Sequence, residues 1–171
     1  MTSEGFFTES DRFTVSRASL LAESLVLRYF DLPPDEWVKN PYSLFTWKET
    51  APWLRDSNVL AQTVRIGSKK NRKSAQVKDD TLCYGVLLQD PAILRALLRP
   101  HKHDLWTLGL FVLTHELVHI VRFRRFSVDF FGSQEDRNNE EKVVHKVTSE
   151  ILSGVENTDK LLNLYESGLK F

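Results

Sequence analysis

The longest apolar run in the chain spans residues 105–121, and its later part, "LGLFVLTHELVHIVRF" (residues 108–123), carries His115, Glu116 and His119. Two imidazoles and a carboxylate among Leu, Val and Phe constrain the fold more than any other feature. Each polar group must find a partner or lose its hydration uncompensated. A bound metal ion is one such partner. On a helix, residues four apart stand one turn above each other on the same face, so His115 and His119 converge on a single point. Glu116 is displaced around the helix and points beside that point.

This H-E-x-x-H spacing is a two-histidine clamp with a general base next to it. Zinc held there lowers the pKa of a bound water towards neutrality, the glutamate takes the proton, and the water attacks a peptide carbonyl. The competing reading is a solvent-facing polar stripe. Leu113, Leu117, Val118, Ile120 and Val121 surround the three residues and leave little free surface for it. A protein-held zinc needs a third ligand, with the fourth position left for water. The segment "NNEEKVVHK" offers Glu140, Glu141 and His145 on a further helix, predicted over residues 138–152. Glu141, His145 and Thr148 share one face, whereas Glu140 aligns with the apolar stripe of Val144, Val147 and Ile151. Asp129 and Asp136 are further candidates outside any recognisable motif.

On these residues the sequence resembles the zincin metallopeptidases, in their glutamate-zincin, thermolysin-like branch, over residues 111 to about 152. The resemblance implies a zincin-like α+β fold, largely helical, with a small twisted β-sheet packed on the H-E-x-x-H helix and on the glutamate helix that follows. It implies a Zn2+ cofactor, His115 and His119 as ligands, Glu116 as the catalytic base and Glu141 as third ligand, with Glu140 or His145 as the alternative. In that branch a carboxylate one turn beyond the third ligand orients a zinc-binding histidine, but here the position is His145, a candidate to orient a metal ligand or to touch the transition state. The metzincin branch fits less well, because Arg122 and Arg125 replace its glycine and third histidine and the only methionine is Met1. Zincins pair an extended substrate with an edge strand, for which "TLCYGVLLQ", residues 81–89, is the candidate, although a buried core strand reads the same and is the favoured account of the sequence alone.

The remaining chain supplies a scaffold. Residues 14–29 read as an amphipathic helix with Thr14 or Ser16 as cap, and short helical turns are expected over 35–55, with Phe45, Trp47 and Trp53 packing. Residues 58–66 and 81–89 are β-prone, joined by the charged loop "GSKKNRKSAQVKDD". Asp90 as cap and Pro91 at the first position start a short helix ended by Pro100, and a longer one runs from about Asp104 to Phe126. The arginines at its end, Arg122, Arg124 and Arg125, complement the helix dipole and pack on Phe123 and Phe126. Tyr84 is expected to pack, and His101 and His103 to be solvated. Gly154 ends the glutamate helix, and residues 158–171 form a last short one.

At 171 residues the chain is one domain, 1–171. Its 23 basic and 23 acidic residues balance, which gives no basis for nucleic-acid binding. Cys83 stands alone, so neither a disulfide nor a cysteine-rich zinc site can be built. With no basic, apolar leader at residues 1–13, a cytoplasmic location is expected, and the polar triad makes residues 105–121 a poor membrane span. The expected function is a zinc-dependent metallopeptidase acting on a peptide or protein substrate, without nucleic-acid or membrane partners. The alternative is a non-catalytic zincin-like protein with a structural metal site or a partner-binding role. The oligomeric state is not legible in the sequence.

Overall fold

Helix α1 (Glu9–Tyr29) starts five residues before the position that periodicity marks, because Thr8 and Asp11 form a reciprocal cap in the computed structural model. The structure describes residues 5–66, 83–98, 103–126 and 128–158. The charged loop, the end of the Asp90 helix at Pro100, His101 and the last short helix lie outside these residues. After α1 come α2 (Glu36–Lys39), β1 (Tyr42–Phe45), a 3-10 turn (Pro52–Leu54), β2 (Ala61–Ile66), β3 (Cys83–Leu88), α3 (Asp90–Leu97), α4 (Leu105–Arg125) and α5 (Gln134–Leu152). The architecture is α+β, dominated by helix, with one small mixed sheet.

The chain is organised around α4, which packs against α1 on one side, α5 on another, and β2 and β3 on a third. Its residues from Thr107 to Val121 are all buried. By length and composition α4 could cross a bilayer, yet it is enclosed by the protein's own elements and serves as the core helix. The neighbour α1 presents Val15, Ala18, Ala22 and Val26 to the core. Its small alanines permit a close approach: a Cβ on Gly109 of α4 would sit 3.8 Å from that of Ala18, ordinary van der Waals contact.

In the sheet the strand order is β1-β3-β2, with β1 parallel and β2 antiparallel to β3. Thus β3 is the central strand, as its apolar run favours, and the substrate-pairing edge is not formed by it. It is buried on both faces, which is why it reads as a continuous apolar run. Among the described strands β2 is the edge next to α4. Gln89 N donates to Leu60 O at 2.9 Å, and the alternation of an antiparallel ladder then turns the N–H and C=O groups of Ala61, Thr63 and Arg65 outward. Gly85 lets β1 and β2 close over the middle of β3, since a Cβ there would come within 2.9 Å of Ile66 Cδ1 and 3.1 Å of Phe45 Cε2.

Several local expectations change. Segment 35–55 contains a strand, β1, besides its short helical turns, and Trp53 is 83% exposed rather than packed. α5 starts one turn early, at a second reciprocal cap made by Ser133 and Asp136. Tyr84 packs as expected, buried against Phe123, and Gly154, with φ of 84°, turns the chain out of α5. Asp90 is not a cap: it is the first residue of α3, Pro91 is the second, and Gln89 holds the cap position without a side-chain bond. The Asp90 carboxylate is buried and ties distant backbone together, accepting from Trp47 N at 3.0 Å and Phe7 N at 3.2 Å.

Asp90→Ala would orphan the buried Phe7 N–H and the part-buried Trp47 N–H and is expected to cost about 2–4 kcal/mol in chemical denaturation. Asp90→Asn, which keeps an acceptor for one of them, should cost distinctly less.

Candidate metal centre

Helix geometry alone brings His115 and His119 together; their ring centroids are 4.9 Å apart. Both residues and Glu116 are buried, which rules out the solvent-facing stripe. Opposite them stands Glu141 of α5. Its Oε2 lies 3.3 Å from His115 Nε2 and its Oε1 lies 3.1 Å from His119 Nε2, so one carboxylate spans both rings. The Nδ1 atoms face the other way and are buried, with no hydrogen-bond partner among the described residues. Phe111 and Phe123 flank the pair along α4, the latter stacked on His119 with centroids 5.6 Å apart.

The three candidates on α5 separate by their contacts. Glu140 is buried in a two-pronged ion pair with Arg122, with Nε to Oε1 at 2.7 Å and NH2 to Oε2 at 2.9 Å. Its Oε1 stands 3.9 Å from His119 Nδ1, beyond hydrogen-bond reach and behind the ring. Glu141, one residue on, points at the front of both rings. His145 lies one turn further, its ring centroid 6.3 Å from those of His115 and Phe111. Thr148 is buried and donates to Val144 O, so it takes no part. Asp136 serves the α5 cap and Asp129 Oδ1 accepts from Phe131 N, which places both outside the cluster. Only His115, His119 and Glu141 form a group of potential donors within 4.8 Å of one another, among the described residues.

Glu116 sits outside this ring of donors, as its offset on the helix requires. Thr63 Oγ1 of β2 donates to Glu116 Oε2 at 2.8 Å, and among the described residues no hydrogen bond reaches Oε1. Sequence reasoning did not single out Thr63. It is the third residue of an unremarkable strand, and only the docking of β2 on α4 brings it to the site. The arginine cluster was read as dipole complement and packing. It is more specific than that, since Arg122 grips Glu140, Arg125 pairs with buried Glu36, and Arg124 donates to the Asn40 and Pro41 carbonyls.

Charge in the site is strongly coupled. Burial alone would raise the Glu141 carboxyl, but hydrogen bonds from His115 and His119, and their charge, hold it far below the usual carboxylate range. Burial pulls His119 down. The Glu141 hydrogen bond, together with the charges of Glu116, Glu141 and Glu140, outweighs it, so the imidazolium is favoured to above the ordinary histidine value. His145 goes the other way, to about 4, through burial and the neighbouring charge of His115.

Open space adjoins the cluster on both sides. A cleft of about 930 Å³ extends past Thr63, Glu116, His119 and Glu141 to Phe123, Phe130 and Phe131. A smaller one of about 210 Å³ lies beyond His115, against Phe111, Val112 and Leu60. Val59, Ala61, Glu116 and Glu141 border both, so the two read as one groove running past the β2 edge.

No protein-family profile matches the chain, and neither a curated protein nor a solved structure shows significant similarity to it.

Because the Arg122–Glu140 pair is buried, removing one partner strands the other. Glu140→Leu should destabilise the protein by about 3–5 kcal/mol, whereas Arg122→Met combined with Glu140→Leu should cost less than the sum of the two single changes. Thermal or urea denaturation of the four proteins of this cycle measures it.

Proposed function

We propose that this protein is a zinc-dependent metallopeptidase of glutamate-zincin type, with His115, His119 and Glu141 as the metal ligands and Glu116 as the general base. One observation carries the reading. Both oxygens of a single carboxylate face the two Nε2 atoms of a helical histidine pair, while the adjacent glutamate is held outside that ring with one oxygen unengaged.

The donor set fits the ion. Two imidazole nitrogens and a carboxylate oxygen are a three-ligand combination found at catalytic zinc sites. Donors about 2.0–2.2 Å from a common tetrahedral centre stand about 3.3–3.6 Å from one another; here each Nε2 meets a different oxygen of Glu141, at 3.1 and 3.3 Å, and one donor atom from each residue lies within 4.8 Å of the others, so a modest side-chain adjustment would bring all three onto one ion. The reach of Glu141 is supported from behind, because the Arg122–Glu140 pair fastens α5 to α4 one residue earlier. Zinc bound there would supply Lewis acidity, acidifying a water and polarising the scissile carbonyl.

The chain's own residues supply the rest. Glu116 takes the water's proton on its unengaged Oε1 and can return it to the leaving amine, both within reach of one carboxylate. Extended substrate aligns along β2, where the outward N–H and C=O groups of Ala61, Thr63 and Arg65 offer main-chain hydrogen bonds without side-chain selectivity. The flanking clefts receive its side chains, with aromatic residues lining the larger one. A zincin-like arrangement of edge strand, histidine helix and glutamate helix belongs to the same proposal.

Metal analysis on wild type, Glu116→Gln and His119→Ala, run beside a casein or peptide-library cleavage assay, tests the assignment. Wild type and Glu116→Gln should each hold about one zinc, and His119→Ala should lose it. Cleavage should be confined to wild type, with Glu116→Gln reduced at least a hundredfold. Zinc retained without cleavage would favour a structural site, and absence of zinc in all three would overturn the reading.

Proton linkage gives an independent check. The three carboxylates hold a proton on His119 above the ordinary histidine pKa, and metal must displace it. Zinc affinity should therefore rise with pH through the ordinary histidine range and level off only above the elevated value. Proton release at neutral pH, read by calorimetry in buffers of different ionisation enthalpy, should exceed zero and shrink as pH rises.

A further inference from the structure

We infer that Thr63 is a positioning residue that fixes the Glu116 carboxylate and links it to the strand on which substrate would dock. The inference rests on the proposed role of Glu116 as base. A threonine hydroxyl has one proton to give, and two acceptors lie near it: Glu116 Oε2 at 2.8 Å and Glu116 O at 3.4 Å. The shorter contact, to the charged oxygen, takes the proton. Oε2 is thereby held on the β2 side, and Oε1 is left as the acceptor facing the groove.

The restraint matters because of what surrounds Glu116. The residue is buried with the cleft bordering it on both sides, and the contact that orients its carboxylate is the Thr63 hydrogen bond. An unrestrained carboxylate next to two histidine donors would itself be a competing ligand, and a base that binds metal is no longer available for a proton. Thr63 opposes that swing. No other hydrogen bond to the Glu116 carboxylate exists among the described residues, so the work falls on this one contact.

Thr63 also faces two ways. Its side chain points to α4, while its N–H and C=O lie on the edge of β2 that no other described strand pairs. Substrate pairing along that edge would bond the backbone of the residue whose hydroxyl holds the base. A displacement of about 1 Å between reacting groups costs on the order of a hundredfold in rate, so the coupling is steep enough to favour substrates seated in register.

Thr63→Val preserves shape and β-branching and removes only the donor; Thr63→Ser restores the donor with less bulk. Zinc content, kcat and KM on a cleaved peptide, and the visible spectrum of the cobalt-substituted protein are to be compared across wild type and both variants, with circular dichroism to establish folding. Expected for Thr63→Val is an unchanged metal content, a kcat lower by about ten- to a hundredfold, KM within about twofold, and a shifted cobalt spectrum. Thr63→Ser should recover most of kcat and the wild-type spectrum. Equal activity of Thr63→Val and wild type, or a serine variant as impaired as the valine one, would overturn the inference. Should wild type bind zinc and cleave nothing, the peptidase reading fails by itself. The crystal structure of Thr63→Val then decides this point, since a Glu116 carboxylate kept in its wild-type position refutes the positioning role and a rotated one supports it.

Discussion

Enclosing α4 on every side is the condition on which the rest of the molecule depends. A helix with Leu, Val, Ile and Phe around its whole circumference gains its stability by burial, at roughly 25 cal/mol for each Å² of apolar surface removed from water. It carries two histidines, a glutamate and an arginine into that environment. Each must be answered by a group on a neighbouring element, because water no longer reaches them freely. The answers come from different directions: Glu141 for the histidines, Thr63 for Glu116 and Glu140 for Arg122. The polar contacts that define the candidate centre are thus also the contacts that set how α5 and β2 sit on α4.

Two adjacent glutamates on α5 illustrate how that division of labour works. Glu140 and Glu141 differ in sequence by nothing but position, yet a rotation of about 100° around the helix gives them different partners. Glu140 meets a permanent cation and is spent in a buried pair. Glu141 meets two titratable rings and stays partly open to the groove, where its carboxylate has exchangeable company. One anchors, and the other is available.

What the sequence made legible follows from how local each signal is. The pairing of His115 with His119 and the offset of Glu116 depend only on helical periodicity, and the structure brings the histidines together and sets the glutamate aside. The existence of the α4 and α5 helices and of two β-prone segments was equally readable. By contrast, the choice among Glu140, Glu141 and His145 depended on a partner eighteen residues before Glu140, Arg122, whose role no spacing rule identifies. Thr63 was invisible for the same reason, since its significance is created by docking. The buried, central place of β3 was legible in its apolar run, which left no edge there for substrate pairing. β1 was missed because four residues between prolines carry too little period to register. The early start of α1 and α5 came from reciprocal caps at Thr8 and Ser133, which hold a first turn that is not itself apolar.

The order of elements along the chain also decides when this arrangement becomes complete. Chains are made from the N-terminus, and segments fold as they become available. α1, the three strands and α4 all precede α5, so the histidine pair and its glutamate neighbour exist before any carboxylate can stand opposite them. A two-nitrogen site without its third donor is a poor holder of zinc. In the proposed site the third donor is therefore in place only once α5 closes on α4 through Arg122 and Glu140. On the proposed reading, the docking of α5 and the completion of the donor set are one event.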